Sequence, residues 1–192
     1  ALQEGKPFLG RHTQQTDILF IQADSLALEW KLMLDRICPK SDGLTVVEVD
    51  QRCLGNPKAL EWLCAKVKQY QPKYIIFDSL QKLTAWTIST DAGVSMALNA
   101  FQLIVGTIPW MLIHHPPHSE FRASGHQSLA ASASYVWGLL KTKLKVEKGR
   151  LVKDGEILLS RDTHGLWVVK EDTALDDTDV NDIMNRPIVR RR

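Results

Sequence analysis

The sequence predicts an α/β domain with a mostly parallel sheet flanked by helices and an antiparallel edge at its C-terminal end. Two observations predict this class. Short apolar runs alternate with helical stretches in the first two thirds of the chain, as right-handed βαβ crossovers require. The last third changes to closely spaced strand patterns separated by Gly or Asp-Gly turns. The length of 192 residues, 44% of them hydrophobic, suits one domain with a sizeable core.

The first two thirds contain four predicted strands with helices between them. The strands are Asp17–Ala23, Leu44–Val49, Lys73–Asp78 and Ile108–His114. The helices begin at residues that favour a helix N-terminus: Ser25 precedes Leu26–Ile37, Asn56-Pro57 precedes KALEWLCAKVKQY, and Ser89 or Thr90 precedes a helix ending at Val105.

The last third contains a short helix-compatible stretch, Ser124–Ala133, and then three or four strands. The strands lie in YVWGLLKTKLKVEKGR, GEILLSR and GLWVVK. We expect residues 1–170 to form one core. Residues 171–192, where an acidic run precedes the basic RPIVRRR, are expected to be a charged tail that is weakly ordered or held by a neighbour.

Composition excludes several classes of protein. A net charge of +2 is too small to indicate nucleic-acid binding by itself, so any such site must be a local patch. The three cysteines form no CxxC pair, which argues against a zinc ribbon or a disulfide scaffold and favours a reducing compartment. No apolar run approaches the roughly 18 residues of a membrane span, and no signal peptide is evident. We expect a cytoplasmic protein that does not bind membranes.

Polar side chains follow three of the predicted strands at the edge where parallel sheets bind ligands. Asp78 ends the apolar run YIIFDS, which has the form of a Walker B motif that delivers a carboxylate to a magnesium-bound water. Asp24 follows the first strand and is a candidate for orienting or deprotonating an attacking water. Each aspartate has a plainer alternative, as the cap of the following turn or helix.

The histidines after the fourth strand are the third candidate group. His114, His115 and His118 suggest a zinc site near Asp78, but adjacent strand residues point to opposite faces, and Pro116-Pro117 prevents a helix that would gather the imidazoles. We therefore favour one histidine, His114 or His115, as a hydrogen-bonding sensor of a phosphate.

Two basic segments are candidates for contacts with other molecules. The polar segment 116–128 carries His118, Arg122 and His126, and it is either a nucleic-acid loop or a solvated loop. Lys148 and Arg150 lie two apart on one face of a strand. They are either a finger that reaches a neighbouring subunit's phosphate or a solvated edge that discourages aggregation.

The order of these motifs resembles one family. From Gly5 to Trp167 the chain carries GKPFLG, DILFIQADS, YIIFDSL, IHH, SGHQSLAASASYVWGL and KLKVEKGR followed by EILLS. In this order they resemble the RecA-like ATPases of the hexameric RepA and DnaB replicative-helicase type. The resemblance implies a RecA-like fold, a catalytic Asp24 at a position where the family usually has Glu, and a Walker B Asp78 that holds Mg²⁺ through water.

The same resemblance implies the remaining roles and partners. His114 or His115 corresponds to the phosphate sensor, and Lys148 with Arg150 corresponds to the KxR pair that enters the next subunit's nucleotide site. The 116–128 segment would face nucleic acid, most simply DNA. The resemblance implies a self-associating ATPase of the helicase, DNA-replication or recombination type, with a hexameric ring as its expected assembly.

One element of the family is absent from the sequence. No segment matches GxxxxGK[ST], the Gly-rich loop that cradles phosphates, so ATP and Mg²⁺ are expected as cofactors only where that loop is supplied. The family's first strand is expected beside the Walker B strand, which would leave a vacant place there. Either the natural protein carries the segment upstream of Ala1, or the sheet closes without it.

Three functional hypotheses follow. The first is a RecA-like NTPase core that couples ATP binding or hydrolysis to nucleic-acid binding in an oligomer. The second is a degenerate, non-hydrolysing domain that serves as an assembly or nucleic-acid-binding scaffold, which the missing loop and Asp24 in place of Glu both fit. The third and weakest is a metal-dependent hydrolase that uses Asp24, Asp78 and the histidines.

Overall fold

The computed structural model describes residues 13–25, 28–30, 32–33, 43–115, 127–140, 142–149, 155–161 and 167–169. The chain divides into two compact units, one holding the described residues up to Leu129 and the other those from Ala130 onward. The tail 171–192 lies outside the described residues. None of the described helices combines the length and the apolar character that crossing a membrane requires.

The first unit is built on a four-stranded parallel sheet. Its strands are β1 (Ile18–Gln22), β2 (Leu44–Glu48), β3 (Tyr74–Asp78) and β4 (Trp110–Ile113), in the order β2-β1-β3-β4. All five residues of β1 are buried, as expected for a central strand covered on both faces. The register places Gln22 beside Asp78, and Asp78 beside Ile113.

The strand order bears on the place expected for the family's first strand. No place beside the Walker B strand is vacant, because β3 pairs with β1 on one side and with β4 on the other. Its backbone groups therefore have neighbours along both edges. The edge strands of the described sheet are β2 and β4.

Helices connect the strands as predicted. Residues 28–30 and 32–33 are helical between β1 and β2, α1 (Pro57–Tyr70) follows a 3-10 turn at Cys53–Gly55, and α2 (Leu80–Leu83) and α3 (Asp91–Val105) lie between β3 and β4. The side chain of Asn56 accepts a hydrogen bond from the Lys58 amide, with Pro57 in the first helical position. Thr90 caps α3 by accepting from the Gly93 amide at 3.1 Å.

The core of the first unit forms where β1, β3, α1 and α3 meet. Phe77 and Phe101 pack edge to face with their ring centroids 4.7 Å apart, and Trp110 stacks on Phe101 at 5.4 Å. Trp86, which follows α2, packs against this core. The fully buried aliphatic members include Leu19, Ile21, Leu63, Ile75, Leu80 and Leu83.

The last third forms an antiparallel sheet, which confirms the predicted change of character. α4 (Gln127–Ser132) precedes β5 (Tyr135–Leu140), β6 (Lys143–Gly149), β7 (Gly155–Arg161) and β8 (Trp167–Val169), which pair in sequence order. A register shift interrupts β5 between Val136 and Trp137. Leu144, Ile157 and Leu159 form its small buried cluster.

Candidate functional site

The candidate site lies where β1, β3 and β4 end at one edge of the parallel sheet. Asp24 follows β1, Asp78 is the last residue of β3, and His115 lies two residues beyond β4. One ligand atom from each of these three side chains lies within 4.8 Å of the others. Three segments far apart in sequence thus bring two carboxylates and an imidazole together.

A buried amide shapes the turn that carries Asp24. Gln22, the last residue of β1, is 0% exposed. Its side-chain oxygen accepts hydrogen bonds from the backbone amides of Asp24 at 3.1 Å and Ser25 at 3.0 Å, and its side-chain amide donates to the Ser25 carbonyl at 2.9 Å. The turn after β1 is therefore held by three hydrogen bonds to one side chain, which fix the backbone of Asp24 at the sheet edge.

Asp24 lies between two basic side chains. His115 Nε2 is 3.3 Å from Asp24 Oδ2, and Lys82 Nζ is 3.7 Å from Asp24 Oδ1. The side chains of Lys82 and His115 are 42% and 58% exposed, so water screens these contacts. The two oxygens of one carboxylate thus face different partners.

Asp78 is the most buried carboxylate of the cluster. Burial raises the pKa of Asp78, the charge of Asp24 raises the pKa further, and His115 partly opposes the shift. Its neighbour Ser79 is fully buried, and the Ser79 hydroxyl has no hydrogen-bond partner within the part of the chain that the structure describes. Asp78 therefore takes up a proton more readily than an ordinary aspartate does.

The structure distinguishes the two predicted sensor histidines. His115 belongs to the cluster, whereas the half-buried His114 does not. The strand ends at Ile113, so both histidines lie in the irregular segment beyond it, where alternation between sheet faces no longer applies.

The predicted contact segments are only partly described. Lys148 Nζ donates to the carbonyls of Ala130 at 3.0 Å and Ala131 at 2.7 Å, which lie in α4. Its ammonium thus interacts with the C-terminal part of a helix, where positive charge is favourable. Arg150, His118, Arg122 and His126 lie outside the described residues.

Two residues of the site were not predicted from the sequence. Gln22 lies in the apolar run DILFIQA, and a polar residue at the end of such a run is the one signal that could have identified it. Lys82 lies on α2, the short helix that follows β3, and its ammonium is 3.7 Å from Asp24 Oδ1. No spacing in the sequence indicates that contact.

Comparisons with known proteins agree with this architecture. A family model described as an AAA domain matches residues 1–120, which is more than half of the chain. The crystal structure of a KaiC-like protein from the hyperthermophilic archaeon Pyrococcus horikoshii OT3 is similar, with a TM-score of 0.59 and 14% sequence identity over 81% of this chain and 76% of that one. No curated protein matches the sequence.

These comparisons confirm the predicted RecA-like fold and support an ATPase core in general. They do not confirm the RepA or DnaB helicase type, which stays a prediction. The structural likeness shows the fold alone, because the sequence identity is 14%. The family match covers β1 to β4 and every residue of the Asp24, Asp78 and His115 cluster. The chain belongs to the AAA domain family.

Proposed function

We propose that this chain is a nucleotide-hydrolysing core that couples ATP binding or hydrolysis to nucleic-acid binding in an oligomer. The observation that carries the proposal is the meeting of Asp24, Asp78 and His115 at the carboxyl edge of a parallel sheet, in a chain of the AAA domain family. Ligands of open parallel sheets bind at this edge.

The residues present fit the magnesium side of such a reaction. A carboxylate oxygen is a ligand that Mg²⁺ accepts directly or through water, and Asp78 supplies one from the end of a central strand. Bound Mg²⁺ and ATP would supply charge neutralisation and the reacting phosphoryl group. The sequence contains no GxxxxGK[ST] loop, so the phosphate side of the site is not provided by a motif of this kind within these 192 residues.

The other two side chains divide the remaining tasks. Asp24 would orient the attacking water and accept its proton, and it is the more solvent-accessible of the two carboxylates. His115, which contacts Asp24, would donate a hydrogen bond to a bound phosphate and so act as its sensor. Lys148 and Arg150 are proposed to act on a neighbouring subunit's nucleotide, and the 116–128 segment is proposed to face DNA.

A direct experiment tests the hydrolysis part. We expect the product of the full gene to hydrolyse ATP, and we expect Asp78→Asn to lower the rate at least about a hundredfold, because the carboxylate that serves the metal is lost. Asp17→Asn, at the opposite end of β1, is the matched control and should keep full activity. No nucleotide binding by the full gene product would refute the proposal.

The second candidate function is a non-hydrolysing scaffold. The absence of a GxxxxGK[ST] match and the aspartate at position 24 favour it. A scaffold would form a stable oligomer, or bind DNA in a salt-dependent manner, in the absence of nucleotide. Light scattering and DNA-binding titrations at several salt concentrations, each with and without ATP, separate the two candidates.

A further inference from the structure

The cluster of Asp24, Asp78 and His115 already has nearly the dimensions of a metal centre. Donors around a tetrahedral metal with bonds of about 2.1 Å lie roughly 3.4 Å apart. His115 Nε2 and Asp24 Oδ2 are 3.3 Å apart, and all three donor atoms lie within 4.8 Å of one another. No pair of donors is therefore more than roughly 1.4 Å farther apart than a tetrahedral ion requires.

Two of the ligands are held by the fold rather than by each other. Asp78 is fixed as the last residue of β3, between two paired strands. The Asp24 backbone is fixed by the buried Gln22 side chain. A preorganised ligand loses less conformational freedom on binding, so such a site gains affinity. His115 is 58% exposed, which leaves a path for an ion from solvent.

The donor chemistry selects the kind of ion. Imidazole nitrogen suits Zn²⁺ and neighbouring transition-metal ions such as Co²⁺ more than Mg²⁺ or Ca²⁺, which prefer oxygen ligands throughout. We propose that Asp24, Asp78 and His115 form a direct binding site for one divalent transition-metal ion, which binds without nucleotide and keeps water in its remaining positions. The proposal concerns metal binding alone, so its test is independent of ATP hydrolysis.

Lys82 is a neighbouring cation that should weaken binding of the metal ion, and this provides a second test of the proposal. Lys82 Nζ lies 3.7 Å from Asp24 Oδ1, the oxygen that does not face His115. Its positive charge repels a cation bound at Oδ2 and competes for the same carboxylate. Removal of Lys82 should therefore strengthen metal binding, whereas a residue that only supports the fold would not produce this effect.

The experiment titrates the purified chain with Mn²⁺, Co²⁺ and Zn²⁺ in separate runs without nucleotide, by calorimetry and, for Co²⁺, by visible absorption. We expect one ion per chain and much weaker binding of Mg²⁺. Even loss of an outer-shell partner lowers metal affinity by about 10 to 100-fold, so Asp24→Asn, Asp78→Asn and His115→Asn should each weaken binding at least tenfold. Lys82→Met should strengthen it.

Matched controls keep the result decisive. Asp17→Asn removes a carboxylate at the far end of β1 and should leave the affinity unchanged. Asp24 and His115 are exposed, so their variants test the site even if Asp78→Asn disturbs the fold. The proposal is overturned if no saturable binding occurs, or if all three ligand variants bind the ions as tightly as the unmodified chain.

Discussion

Asp78 is the carboxylate of the candidate site whose pKa is raised by its surroundings. Burial and the nearby charge of Asp24 both raise its pKa, and the partial relief from His115 does not reverse the shift. The ionised form that the proposed chemistry needs is thus the form that the fold disfavours. Functional sites commonly contain such groups, because selection acts on activity as well as on stability.

The sign of the stability effect follows from this pKa. The folded-state pKa lies above the ordinary 3.8, so the contribution of Asp78 to stability is fully present below pH 3.8 and is lost as the pH rises through the folded-state pKa. Asp78→Asn, which stays neutral, should therefore melt at a higher temperature than the unmodified chain at neutral pH. The difference should disappear below pH 3.8.

Thermal melts in the presence of a chelator measure this effect without interference from bound cations. Asp17→Asn, immediately before β1, is the control for removal of a carboxylate in general. A melting temperature for Asp78→Asn at or below that of the unmodified chain at neutral pH would contradict the prediction.

Gln22 is a second single residue on which the site depends, because its side chain forms hydrogen bonds with the backbone of Asp24 and Ser25. Gln22→Met keeps a similar volume but leaves the amides of Asp24 and Ser25 without their acceptor, and we expect a loss of about 1 to 3 kcal/mol in the free energy of unfolding. Gln22→Glu keeps an acceptor but places an ionisable carboxyl group in a fully buried position, so it is the more disruptive change. Urea unfolding of Gln22→Met measures the loss of the two amide contacts, and an unchanged free energy of unfolding would contradict this account.

At the scale of elements, the start of α3 depends on close packing of backbone. A Cβ atom on Gly93 would overlap the Thr87 carbonyl oxygen and would lie 3.1 Å from Thr90 Oγ1, the atom that caps the helix. Only glycine fits this turn without movement of the backbone. The turn and the cap are therefore one structural unit.

Gly93→Ala tests this unit. Overpacking against backbone costs about 1 to 3 kcal/mol, and loss of the cap adds to that amount. Gly106 at the other end of α3 provides the comparison, because it has a φ of +57° but no atom within 4 Å of a Cβ. Chemical unfolding should show a larger loss for Gly93→Ala than for Gly106→Ala, and the reverse order would contradict the steric account.

The elements also show what sequence patterns can predict. The alternation of apolar runs with capped helices predicted all four parallel strands and the antiparallel sheet, because burial on two faces and hydrogen-bonded turns leave local marks in the sequence. The order of the strands in the sheet has no comparable local signal in the sequence. The position of β3 between β1 and β4 could not be predicted for this reason, since pairing depends on contacts between distant segments.

The convergence of side chains at the candidate site was predictable to a similar depth, whereas their roles stay predictions. Asp24, Asp78 and a histidine were identified from the rule that strand ends converge, but the choice of His115 over His114 depends on where β4 stops. Gln22 and Lys82 contact the Asp24 segment because of the conformation of the turn after β1 and of the short helix α2. Tertiary packing determines these conformations, so the local sequence did not predict the two contacts.

For the whole molecule, the two units should differ in local stability. β1 is buried at every position and pairs on both sides, whereas β5 is an edge strand with Trp137 49% and Leu139 52% exposed. Amide hydrogen exchange should be slowest in β1 and β3 and faster in β5 to β8, because opening a central strand requires disruption of the larger core. Equal protection in both sheets would contradict this expectation.

The contact of Lys148 with α4 would compete with the role proposed for Lys148 at a neighbouring subunit's nucleotide. Hydrogen bonds to a charged group contribute about 1.5 to 3 kcal/mol each, and this ammonium makes two with the helix. A phosphate on a neighbouring subunit can recruit Lys148 only if it offers more than those two carbonyls. If Lys148 moved to such a phosphate, the carbonyls at the end of α4 would lose their donor. Phosphate binding and the folding of residues 127–132 would then be linked, and each would lower the stability of the other by the same free energy.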